Sequence, residues 1–64
     1  MIIQFQTRQG QYVNYEYTRA QAVERLAYLR AQEELTRQVA PTDSGDVRFN
    51  HTAERRVIEQ RLGR

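Results

Sequence analysis

Sixty-four residues bound this chain to one small domain, and the absence of cysteine excludes disulfides and thiolate metal sites. Net charge is only +2, carried by ten arginines and no lysine against eight acidic residues, and one histidine cannot build a zinc cage alone. No apolar run approaches membrane-spanning length and the opening residues lack a secretory pattern, so a cytoplasmic protein with no membrane partner is expected.

A chain this short buries a small core, so a second subunit is an expected source of stability and a homodimer is anticipated. The arginine-only composition fits a GC-rich coding sequence. The sharper reading is a preference for planar donors that grip phosphate or carboxylate in pairs.

Two runs favour extended structure, Ile2 to Thr7 and Tyr12 to Thr18. A two-residue turn at Gln9-Gly10 would oppose apolar and polar residues. A three-residue loop Arg8-Gln9-Gly10 instead pairs Phe5 with Val13 and Ile3 with Tyr15, and places Gly10 at a left-handed bulge position. That register is expected. It gathers Met1, Ile3, Phe5, Val13, Tyr15 and Tyr17 on one face. Tyr12 stands on the polar face, a candidate anchor with an apolar body and a polar tip.

Thr18 and Gln21 have the spacing of a capping box. From Arg19 to Ala40 there is neither glycine nor proline, and Pro41 supplies a stop. One long helix is expected, with one-turn ion pairs Arg30–Glu34 and Glu33–Arg37. Ala22, Val23, Leu26 and Leu29 share one face, suited to cover the hairpin. Tyr28, Leu35 and Val39 share another. Such a helix measures ~33 Å and outruns a ~20 Å strand, so its far end needs something else to pack against, either the C-terminal segment of the same chain or a second molecule.

Residues 41–51 carry turn chemistry and are expected to form a flexible loop. Within them, Val47 to Asn50 has the composition of a short third strand. Residues 52–64 read as a basic C-terminal helix, capped at Asn50 or Thr52 and closed at Gly63. Arg55–Glu59 supports its outer face. The expected fold class is therefore α+β: an antiparallel hairpin packed on one long helix, then a loop and a short helix.

Site chemistry is sparse. His51 is the one side chain expected to titrate near neutrality, and a small ribonuclease-like toxin could combine it with Arg48 or Arg55. Nothing in the spacing brings those residues together, so no catalytic residue is assigned and the protein is not expected to be an enzyme. Asp43-Ser44-Gly45-Asp46 lacks the length and terminal glutamate of a calcium loop. No metal or cofactor is expected, and no small-molecule substrate is evident.

Gly10-x-x-Val13-x-Tyr15-x-x-Thr18, running into an amphipathic helix, is similar to the hairpin-to-helix step of tailed-phage head–tail joining proteins over residues 8–35. The match uses generic hairpin and cap residues, and the leading helix of those proteins has no counterpart here. It adds no functional residue.

The expected function is a small non-enzymatic interaction protein. A phage or mobile-element regulator that inhibits a host complex, or a self-associating accessory subunit, would fit. Candidate partner-binding residues are Tyr28, Leu35 and Val39 as apolar anchors, Arg55, Arg56 and Arg61 as steering charges, and Tyr12. The alternative is a nucleic-acid-binding protein using the five arginines of residues 48–64.

Overall fold

The computed structural model describes residues 1–38 and 45–64. Strand β1 (Ile2–Gln6) and strand β2 (Tyr12–Glu16) form an antiparallel hairpin, followed by helix α1 (Arg19–Gln38) and helix α2 (Gly45–Leu62). The expected α+β class is observed, with the hairpin packed against both helices.

The hairpin register is the expected one, Phe5 with Val13 and Ile3 with Tyr15. Gly10 has φ +88°. Its amide donates to the Thr7 carbonyl at 2.9 Å, while the Thr7 amide donates to the Gln11 carbonyl at 2.8 Å. The three-residue loop thus closes with a glycine bulge whose twist matches the strands.

The N-terminus of α1 is closed by the expected reciprocal pair. Thr18 N–H donates to Gln21 Oε1 at 2.9 Å, and Gln21 N–H donates to Thr18 Oγ1 at 3.1 Å. At the other end of the chain, Gly63 has φ +72° and the Arg64 amide donates to the Glu59 carbonyl at 2.9 Å. That is the six-to-one bond of a Schellman end.

One apolar core unites the elements. Ile3 and Phe5 from β1, Ala22, Leu26 and Leu29 from α1, and Ile58 and Leu62 from α2 are buried together. Val13, Tyr17, Val23, Ala53 and Val57 pack around them half-buried. The hairpin is covered unevenly, because α2 runs beside β1 and not beside β2. Asn50 Oδ1 accepts from the Arg8 amide near one end of β1, and Arg61 donates to the Ile2 carbonyl at 3.2 Å near the other. Tyr15, expected within the apolar face, consequently stays 40% exposed.

Two expectations about the C-terminal third are corrected. Val47 to Asn50 is not a third strand but lies in the opening turns of α2. Residues 45–51, assigned from the sequence to a loop, are helical as well. The cap expected at Asn50 or Thr52 fails because both side chains have tertiary partners. Asn50 holds the hairpin turn, and Thr52 Oγ1 donates to Glu33 Oε1 at 2.7 Å. Asp46 supplies a carboxylate in the first turn instead, where the helix dipole favours negative charge. The proposed stop at Pro41 lies outside the described residues.

Candidate interaction surface

The least expected group is Glu54, a carboxylate only 2% exposed. Burying a charge is costly unless it is paired and hydrogen-bonded. Here Arg25 donates through Nε to Oε2 at 2.8 Å and through Nη2 to Oε1 at 3.1 Å. Tyr17 adds its hydroxyl to Oε2 at 2.9 Å. The pair is therefore bidentate, the strong geometry for arginine and carboxylate. Burial and the Glu54 carboxylate beside it push the Tyr17 phenol up to about 12. Its hydrogen bond to Glu54 raises the Arg25 pKa, against the opposing effect of burial.

A second set of charges joins the helices further along. Arg55 lies against Glu33 of α1 and donates to Glu59 Oε1 at 2.7 Å, and Arg30 reaches Glu59 Oε2 at 2.8 Å. The expected Arg55–Glu59 pair is thus present as one arm of a larger network. The Arg30 hydrogen bond and the Arg55 charge lower the Glu59 pKa. These groups line a shallow groove of about 310 Å³ with Arg30, Arg55, Glu33, Glu34 and Glu59 on its walls. Mixed signs cancel over so short a distance, so this groove does not select an anion.

From the Arg25–Glu54 pair the structure leads outward to Tyr28. The Arg25 guanidinium carbon sits 4.9 Å from the centre of the Tyr28 ring, and the His51 ring meets that ring edge-on at 6.3 Å. Held from two sides, Tyr28 remains 48% exposed. Leu35, seven residues on and therefore on the same flank of α1, is 51% exposed. Val39 lies outside the described residues. The two described anchors are free of the core, so they do not serve as an internal packing stripe.

The three candidate arginines diverge. Arg55 is half-buried between two glutamates, and Arg61 is tied to a backbone carbonyl, whereas Arg56 is exposed with no ion pair among the described residues. Tyr12 is 69% exposed on the outer hairpin face, far more open than a packed tyrosine. Val47 and Phe49 of α2 are exposed too, a consequence of the helix starting earlier than its sequence suggests.

His51 is half-buried on α2 and faces an aromatic ring. Among the described residues, no three His, Asp or Glu side chains converge as metal ligands, and no helix is long and apolar enough to cross a membrane. Sequence reasoning missed Glu54 even though the expected helix over residues 52–64 sets it one turn before Ile58, because a carboxylate there is buried only through its distant partners Arg25 and Tyr17. No known protein family, characterised protein or solved structure was found to match this chain.

Proposed function

We propose that this chain is a non-enzymatic binding protein that docks a protein partner through the outer flank of α1. The observation that carries this reading is the pair Tyr28 and Leu35, half-exposed on one helical flank while the remaining stripe of α1 fills the core. Tyr28 is held in place by Arg25 and His51, so little side-chain freedom is lost on contact. An aromatic anchor beside an aliphatic one, seven residues apart, is the arrangement with which a helix meets an apolar groove.

The nucleic-acid alternative draws less support. Of the five C-terminal arginines, Arg55 is neutralised by glutamates and Arg61 is engaged with β1. Arg48, Arg56 and Arg64 remain exposed, with Phe49 the one aromatic side chain on α2 near the first two.

The test is to compare Leu35→Asp with the parent chain. Circular dichroism should be unchanged, because Leu35 is outside the core. Partners captured from a source extract by the parent should be lost by the variant. In the complex, amide exchange should slow across residues 28–35. Identical capture by both proteins refutes the docking flank. Capture that falls about a thousandfold between 50 and 200 mM salt assigns the contact to the arginines instead.

A further inference from the structure

The two edges of the hairpin are treated differently. Met1 and Tyr17 exchange backbone bonds, with the Tyr17 amide donating to the Met1 carbonyl at 2.9 Å and the terminal ammonium donating to the Tyr17 carbonyl. Antiparallel ladders alternate, so Ile3–Tyr15 and Phe5–Val13 are also hydrogen-bonded pairs. The backbone groups of the intervening residues must point away from the partner strand. On β1 those are Ile2, Gln4 and Gln6. Their edge is flanked by α2, and the Ile2 carbonyl is occupied by Arg61. On β2 they are Tyr12, Asn14 and Glu16, and among the described residues this edge has no strand beside it and no close backbone approach from α2.

Little on β2 blunts that edge: the strand is short and carries one charge, Glu16, at its end. It has no proline, no lysine and no inward-pointing charge, three of the guards against strand addition. We infer that β2 pairs with β2 of a second copy of this chain, antiparallel about Asn14, to make a four-stranded sheet across a two-fold axis. This contact is separate from the α1 flank and does not depend on it.

The sequence of β2 fits itself in that register. Asn14 faces Asn14, and both exchange the outward backbone bonds. Tyr12 of one copy faces Glu16 of the other, so no like charges are opposed. On the core side, Val13 of one copy faces Tyr15 of the other, a β-branched and aromatic pair of the favourable kind. That contact covers the Tyr15 ring which α2 leaves 40% exposed. The two-fold axis stands perpendicular to the sheet, so both copies keep their helices on the same side and need no rearrangement. Five residues per copy make an interface well below the standard size, and association in the micromolar to millimolar range is expected.

Sedimentation of the full chain from about 10 µM to about 1 mM should show a monomer–dimer equilibrium. Asn14→Pro removes an amide that the hairpin ladder does not use, as edge-strand proline allows. The variant should keep its circular dichroism spectrum and dimerise at least about tenfold more weakly. A charge exchange covers the case in which proline disturbs the strand. Tyr12→Glu should weaken the dimer about fivefold by opposing Glu16 across the axis, and adding Glu16→Arg should restore it. These two positions do not face each other within one copy. A monomer at every concentration overturns the inference. So does a folded Asn14→Pro protein that dimerises normally, a charge exchange without effect, or a dimer abolished by Leu35→Asp alone.

Discussion

At the scale of single residues, the decisive arrangement is one carboxylate shielded from water by its two donors. Glu54 has no room to be charged alone, and Arg25 and Tyr17 divide its lone pairs between them. The folded state therefore prefers Tyr17 protonated. Its phenol titrates at about 12 in the fold against 10 for an unperturbed tyrosine. Below pH 10 that preference stabilises the fold in full. Between pH 10 and 12 the unfolded chain loses its phenolic proton first, and the contribution disappears. Denaturant titrations across this interval should show stability falling by on the order of 2 kcal/mol from this group. Tyr17→Phe should cost about 1 kcal/mol at neutral pH through the lost hydrogen bond, and flatten the alkaline slope. An unchanged slope in Tyr17→Phe would place the alkaline transition elsewhere.

At the scale of elements, local chemistry governs the first half of the chain and tertiary chemistry the second. The turn, the register and the start of α1 were legible because each depends on neighbours in sequence: Gly10 for the bulge, alternation for the faces, Thr18 with Gln21 for the cap. Gly10 gives a direct check. An alanine there meets only ordinary contacts, the nearest being the Gln6 amide at 3.7 Å, so any cost comes from φ alone. Gly10→Ala should destabilise by about 1–2 kcal/mol, measured by chemical denaturation, and leave the folded spectrum intact. The opening of α2 was not legible, because Asp46, Asn50 and Thr52 act on distant residues. Gln9 donates to Asp46 Oδ2 at 2.7 Å and Arg8 lies 3.4 Å from its other oxygen. A run that reads as loop by composition becomes helix when the hairpin turn docks on it. The candidate surface was partly legible for a related reason. Helical spacing separates Tyr28 and Leu35 from the core stripe, whereas their exposure depends on where α2 packs and the fate of Arg55 on which acids the neighbouring helix brings.

For the whole molecule, Ile58 is the side chain on which the three layers converge. It is fully buried in the cluster that contains Ile3 and Phe5 from the hairpin and Leu26 and Leu29 from α1. A two-stranded hairpin is not stable alone in water, and a helix of 18 residues with few good neighbours is marginal. Neither unit has an independent fold to fall back on. A domain of this length has about 3–10 kcal/mol of stability in total. Ile58→Ala removes buried methyl groups and leaves a cavity, at a cost of about 2–5 kcal/mol. That loss is a large share of the total, so the variant's thermal midpoint should fall by about 10–30 °C. The discriminating measurement is whether the parts fail together. Helical circular dichroism and strand amide resonances of Ile3 and Tyr15 should vanish in one transition at one midpoint. If the strand resonances outlast the helical signal, the hairpin has an autonomous core and α2 is an appendage. Coincident loss means that the cover α2 gives to β1 is what makes this chain a single folding unit.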